Sequence, residues 1–259
     1  MPHRSAALEH GTPTAAVATS GLVPPSTPTV IISSPRARRS LRTFDRAISC
    51  LLVLPVLPVL AILWCLVRLT SRGPGIYSQL RAGLDGRPFA IYKLRTMTHN
   101  CEARTGAVWA SKNDSRVTFI GRILRKTHLD ELPQLFNVLK GDMALVGPRP
   151  ERPEIVEMLV REIPNYAERM KVLPGVTGLA QIYAEPDQTL DDVRFKLSYD
   201  LRYITRASRW MDVRIVACTG LKMVGLNRGW VRRILFPSLH AKRREATPIN
   251  VPGRPWLTP

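Results

Sequence analysis

Residues 127–135 read THLDELPQL, and within them Asp130 and Glu131 stand side by side in a chain otherwise poor in acid. Arg122, Arg125, Lys126 and His128 closely precede the pair, and Arg149 follows it in the proline-flanked run GPRPE. Paired carboxylates among cations suit phosphoryl chemistry. The cations can bring phosphate oxygens to a carboxylate that would otherwise repel them. A carboxylate is a known nucleophile, and Mg2+ prefers carboxylates together with phosphate oxygens. Adjacent residues on a helix diverge by about 100°, so one acid can attack phosphorus while the other holds a divalent metal.

The pair also has a purely structural reading. Pro133 lacks an N–H, which is harmless only in the first turn of a helix. Placing Asp130 at the N-cap puts Pro133 at the third helical position. An acid there is favoured by a few tenths to about 1 kcal/mol, so capping alone accounts for Asp130. The same helix start, with Arg122, Arg125 and Lys126 nearby, is also where a phosphate would bind.

These residues must be held by something, and the 259-residue chain, 45% hydrophobic, can build one good-sized core. Lys and Arg number 38 against 20 Asp and Glu, a formal charge of +18 that favours an anionic partner: nucleic acid, an acidic lipid surface or a phosphorylated substrate. Cys50, Cys65, Cys101 and Cys218 show no CxxC spacing, and the histidines are scattered, so neither a disulfide framework nor a zinc motif is indicated. Residues 1–40, rich in Pro, Ser, Thr and Ala, read as a disordered leader, and 232–259 as a basic tail. The leader is not a signal peptide, because the apolar run comes too late and no cleavage site follows it.

Residues 47–67 carry no charge and are long enough to cross a bilayer core. Pro55 and Pro58 fall near the middle, where each bends a helix. Arginines flank both ends, so the charge asymmetry expected of a spanning helix is missing. We therefore expect residues 41–70 to form a re-entrant helical hairpin that breaks at the prolines and leaves by the face it entered. The ordinary alternative is a kinked spanning helix.

Residues 71–231 then form the expected catalytic domain. Ile76 to Leu80 and Phe89 to Leu94 predict a β-hairpin turning at Asp85-Gly86. Residues 117–139 predict two helical pieces broken near Thr127 to Asp130, ended by the loop GDMALVGPRPE. Residues 153–171 predict an amphipathic helix interrupted near Pro164, KVLPGVTGLAQI a loop or short strand, and 189–224 two helices. The second of these could lie on a membrane surface or pack on the core.

From about Phe44 to Thr219 the chain resembles the bacterial sugar transferases, monotopic phosphoglycosyl transferases that act on polyprenyl phosphate. The resemblance is carried in order by FDRAI, GPGIYSQLRAGLDGRPFAIYKLRTM, LRKTHLDELPQLFNVLKGDMALVGPRPE, PGVTGLAQI and DLRYITRASRWMDV. It implies transfer of a sugar 1-phosphate from a UDP-sugar to undecaprenyl phosphate, with Mg2+, through a phosphosugar carried on an aspartate. That aspartate matches Asp130 and the adjoining acid Glu131, the pair also expected at the metal. Lys93, Arg95, Arg122, Arg125 and Arg149 are the expected phosphate-binding cations. A later acid of the family matches Asp200 or Asp212. The family's helix break matches Pro58, although Leu57 stands where serine is usual, and Pro55 can share the role.

The expected whole is an α+β fold, mainly α-helical, with a re-entrant membrane helix, a β-hairpin and amphipathic interfacial helices around a compact catalytic core. It would sit in the bacterial inner membrane facing the cytoplasm and initiate a polysaccharide or glycoconjugate. Its partners would be a UDP-sugar, undecaprenyl phosphate and anionic lipid, with a homodimer left open and no nucleic acid. The alternatives are a non-catalytic basic membrane scaffold and a membrane-tethered nucleic-acid binder; no nucleic-acid-binding signature supports the latter. No motif reports on which sugar is used.

Overall fold

The uncharged run belongs to one long helix, α1 (Pro35–Thr70), in the computed structural model of the chain, which describes residues 35–101, 114–184, 189–223 and positions 225, 226, 229 and 236. α1 begins inside the segment read as a leader; residues 1–34 of that leader lie outside the described residues. Pro55 and Pro58 both fall within α1, so the expected break does not divide the segment into two separate helices. Thr43–Thr70 is long and apolar enough to cross a membrane. Asp45, Ser49, Leu60 and Val67 are buried on one face of α1, whereas Leu51, Leu54, Ile62 and Leu69 are exposed.

Strands β1 (Ile76–Ala82) and β2 (Pro88–Leu94) form the expected antiparallel hairpin, in register Ile76 to Leu94 through Ala82 to Pro88. The turn needs positive φ at two successive residues, and Asp85 (φ 53°) and Gly86 (φ 75°) supply it. Helix α2 (Phe119–Thr127) starts on Thr118, whose side chain accepts from Gly121 N. It ends at His128, which turns left-handed at φ 57°. A single 3-10 turn, Leu129–Glu131, then leads through Pro133 into α3 (Gln134–Lys140). The two helical pieces and their break therefore lie where the apolar spacing placed them.

The loop after α3 contains a strand that the sequence did not announce, β3 (Ala144–Val146), paired in parallel with β4 (Gly175–Thr177). At three residues each, both strands are too short to show an alternation. The pair needs glycine: a Cβ on Gly175 would sit 2.0 Å from Gly147 N. Helix α4 (Pro153–Glu162), a 3-10 stretch at Tyr166–Lys171, α5 (Leu179–Tyr183), α6 (Leu190–Arg206) and α7 (Arg209–Met223) follow. α6 carries a full capping box between Thr189 and Asp192.

Leu60 and Val67 of α1 pack with Leu94 and Leu124, joining the long apolar helix to β2 and α2. Val146, Leu179, Tyr203 and Ile215 form the main core among β3, α5, α6 and α7. Phe236, in the segment read as a tail, is buried in that core with its ring edge-on to Tyr183. The rest of 232–259 lies outside the described residues.

Candidate active site

Asp130 and Glu131 do not cap an α-helix. They occupy the 3-10 turn between α2 and α3, and Pro133, not Asp130, is the residue that precedes α3. Pro133 can accept but not donate, and the backbone around it closes through i to i−3 bonds: Glu131 N to His128 O, Leu132 N to Leu129 O, and Phe136 N to Pro133 O. The helix-dipole account of the pair therefore gives way to one of side-chain surroundings. Both acids are buried, with Asp130 7% and Glu131 9% exposed. They line a cavity of about 840 Å3 that also receives Lys93, Arg125, His128 and Arg149.

Glu131 is the anchored acid. Lys93 Nζ donates to its Oε1 at 2.9 Å, and Arg149 forks onto both oxygens, with Nη2 on Oε1 and Nη1 on Oε2 at 3.2 Å. Burial works against its charge, but Arg149 and Lys93 together outweigh it and hold Glu131 well below the usual carboxylate range. In return, the Arg149 guanidinium, about 43% exposed, is held more firmly protonated beside Glu131. Burial and the nearby Arg149 charge weaken Lys93's hold on its own proton.

Asp130 is the unanchored acid: among the described residues no side chain or N–H pairs with its carboxylate. Burial first, and the adjacent Glu131 charge second, push it up to about 6, against the pull of Lys93, Arg149 and Arg125. Two acids one residue apart are thus set to different tasks. Asp130 has oxygens free to attack or to bind a cation, and Glu131 is the fixed charge beside it.

β2 and α3 are locked together by a residue that the sequence reading passed over. Asn137, fully buried, accepts from Tyr92 N at 3.1 Å and donates to Ala90 O at 2.7 Å. This fixes the strand that carries Lys93 against the helix that follows the acid pair. A polar residue on the apolar face of LFNVL was the available signal.

The remaining predicted site residues divide. Arg125 lines the cavity, gives Nε to Thr96 Oγ1 at 2.8 Å, and has both Nη groups without a protein partner among the described residues. Arg95 also lines the cavity but is spent on the end of α1, donating to Ser71 O and Oγ at 2.7 Å and to Arg72 O. Those carbonyls directly follow the last turn of α1, so the Arg95 guanidinium is engaged at the end of that helix and is not a free phosphate ligand. Arg122 is exposed on α2 and lies outside the cavity lining. Asp200 is 2% exposed and paired with Arg169, while Asp212 is buried against Tyr203 Oη at 2.8 Å, so neither faces the substrate cavity. Arg169 and Tyr166, which the sequence reading did not single out, sit directly behind Arg149.

Among the described residues, no three His, Cys, Asp or Glu side chains gather as a ready-made metal cage. The donor set still fits Mg2+. Among the described residues Asp130 has both oxygens without hydrogen-bond partners and Glu131 Oε2 has only the long Arg149 contact, and Mg2+ commonly completes such a pair with substrate phosphate oxygens.

Comparison with known proteins shows what the chain is similar to. Residues 36–225 match the family of bacterial sugar transferases, a span that includes α1, the acid pair and the Arg149 loop. The chain is 48% identical over 151 residues to a UDP-N-acetylgalactosamine-undecaprenyl-phosphate N-acetylgalactosaminephosphotransferase of Aeromonas hydrophila, covering 58% of this chain and 36% of that protein. It is 43% identical over 183 residues to a UDP-glucose:undecaprenyl-phosphate glucose-1-phosphate transferase of Klebsiella pneumoniae, covering 70% of this chain and 39% of the relative. A protein of the same name from Caulobacter vibrioides is 42% identical over 180 residues, covering 69% of this chain and 67% of its own length. The chain thus spans well under half of the Aeromonas and Klebsiella proteins and about two thirds of the Caulobacter one. On the match over residues 36–225 and the likeness along two thirds of the Caulobacter protein, the chain belongs to the bacterial sugar transferase family.

Proposed function

We propose that this chain transfers a sugar 1-phosphate from a UDP-sugar to undecaprenyl phosphate through a covalent intermediate on Asp130. The observation that carries this reading is the buried Asp130 carboxylate, without a hydrogen-bond partner among the described residues, in a cation-lined cavity beside an ionised Glu131 that Lys93 and Arg149 hold. The similar proteins' names pair a UDP-sugar or a sugar phosphate with undecaprenyl phosphate, which supplies the substrate class.

In the first half-reaction an Asp130 carboxylate oxygen attacks the phosphorus that bears the sugar. The Oδ–P bond forms, the P–O bond to UMP breaks, and UMP leaves with that electron pair. Arg125 and Arg149 lie where they can hold the phosphate oxygens, and Glu131 keeps Arg149 and Lys93 oriented. In the second half-reaction an oxygen of polyprenyl phosphate attacks the same phosphorus and releases the Asp130 carboxylate. Mg2+, held by Asp130 and Glu131, would supply positive charge to the phosphate oxygens. One site then serves a soluble donor and a lipid acceptor in turn, so the two need never meet. Initiation of a polysaccharide or glycoconjugate follows from the product.

A membrane placement on one face is part of the same proposal. At one end of the apolar segment Phe44 lies under the Arg209 guanidinium (5.6 Å) and Asp45 accepts from Leu145 N (3.4 Å). At the other end Val67 packs with Leu94 and Leu124. A straight helix from Asp45 to Val67 would be about 33 Å long, the thickness of a bilayer core. Contact of both ends with one catalytic core supports a re-entrant path bent at Pro55 and Pro58, with the core on the cytoplasmic face. Trp210, Val213 and Val216 are exposed on α7 close to Arg206, Arg209 and Arg214, a surface suited to anionic lipid.

The test is to incubate the purified full chain with a panel of UDP-sugars and Mg2+ and to measure UMP release and intact mass. One donor should give a mass increase of one sugar phosphate on the peptide containing Asp130, discharged by undecaprenyl phosphate. Asp130→Asn should give neither adduct nor UMP. An adduct on Glu131, or UMP release by Asp130→Asn, would overturn the assignment.

A further inference from the structure

The loop that carries Arg149 is tied down at four consecutive carbonyls. Gly175 N donates to Pro148 O at 2.9 Å, Arg81 Nη1 to Pro150 O at 3.4 Å, and Ala82 N to Glu151 O at 2.8 Å. These three donors come from β4 and β1. The fourth is different: Arg149 O accepts from Arg169 Nη2 at 2.9 Å. That guanidinium has two further holders. Asp200 Oδ2 takes its Nε at 2.9 Å and its Nη2 at 2.8 Å, and Nη1 donates to Tyr166 Oη at 2.6 Å.

We propose that Arg169, oriented by Asp200 and Tyr166, is a positioning residue that aims Arg149 at Glu131 and at the substrate phosphate by holding the Arg149 backbone carbonyl. The inference rests on the reading of the site given above. Pro148 and Pro150 have φ fixed by their rings, so the main freedom left in the loop is that of Arg149 itself. The direction of its carbonyl sets its ψ, and with it the direction in which the side chain leaves the backbone. A neutral N–H would satisfy a carbonyl as well. A buried guanidinium costs desolvation unless a carboxylate pairs with it, and Asp200 is that carboxylate. Asp200 also offsets the repulsion that an uncompensated Arg169 would exert on Arg149. This gives the later acid of the family resemblance a role through Arg149 in place of one on substrate.

The experiment is a pre-steady-state burst of UMP from the full chain with a UDP-sugar that the wild type accepts. Arg169→Met and Asp200→Asn are expected to keep the burst amplitude per folded chain and to slow its rate constant about 100-fold, as a misaimed group does. Arg169→Lys, which keeps the charge but not the fork, should fall between, and it decides the matter if Arg169→Met does not fold. In an Arg149→Lys background, Asp200→Asn and Arg169→Lys should add less than about threefold, because the residue they position is already displaced. Full additivity, or reduced amplitude at an unchanged rate constant, would overturn the positioning role. A wild type without any burst would instead overturn the functional reading on which it rests.

Discussion

Burial acts on Asp130 and Glu131 alike, but only Glu131 has cations in hydrogen-bond contact. That difference keeps Glu131 ionised and leaves Asp130 pushed up to about 6. If ionised Asp130 is the attacking group, kcat/KM for the donor should fall about tenfold per pH unit below pH 6 and level off above it. The sign of each neighbour can be checked. Lys93→Met removes a charge that pulls Asp130 down, so the acid limb should move to higher pH. Glu131→Gln removes a charge that pushes Asp130 up, so the limb should move to lower pH while activity itself drops, on the order of 100-fold. Rising Mg2+ should also carry the limb to lower pH. Limbs that stay in place in both variants would mean that some group other than Asp130 titrates.

At the scale of elements, what could be read in advance follows the length of each signal. Helices α2, α3, α6 and α7 and the β1–β2 hairpin carry apolar spacing or a turn dipeptide over enough residues to be recognised. β3, β4 and α5 are three to five residues long and are made by pairing and packing, not by local preference. The left-handed His128 that turns α2 into the acid pair has no glycine to announce it. The acids, Arg125 and Arg149 were legible as a charge constellation, and Lys93 only through the family resemblance. The burial of Arg169 was not, because on the amphipathic helix expected over 153–171 a charged residue reads as part of the solvated face.

One element-level junction makes its own prediction. Tyr203 Oη, on α6, lies 2.8 Å from Asp212 of α7 and 3.1 Å from Val146 O, just before the Arg149 loop. Burial pushes Asp212 up to about 7 from 3.8, against the Tyr203 hydrogen bond. A raised acid gives stability that is fully present below its unfolded value and lost as pH climbs through its folded value. Thermal stability in detergent should therefore decline from pH 4 to pH 7 through this group. Asp212→Asn, whose Oδ1 can still accept from Tyr203 Oη, should flatten that decline. Tyr203→Phe should cost about 1–3 kcal/mol by leaving Val146 O and Asp212 unpaired, and an unchanged melting temperature would show that the junction contributes nothing.

On the scale of the molecule, the acid pair and the long apolar helix are one device, since Leu60 and Val67 pack on the elements that flank Asp130. Arg95 strengthens the join by engaging the end of α1 while lining the cavity. On the re-entrant path proposed above, the core holds α1 at Phe44-Asp45 and again at Val67, and both ends lie on one side of the bilayer. Single cysteines introduced near residues 40 and 72, in a chain with Cys50, Cys65, Cys101 and Cys218 replaced by serine, should therefore behave alike. In intact cells both should be protected from an impermeant maleimide, and both should react once the membrane is opened. Reaction of one flank alone from outside would make α1 a spanning helix. The grip at Phe44-Asp45 would then have to be absent in the membrane. Substituting Pro55 and Pro58 together by leucine would remove the proposed bends and restore the backbone donors. A straightened α1 can no longer return to the core with both ends, so one flank should become accessible and transfer to undecaprenyl phosphate should fall.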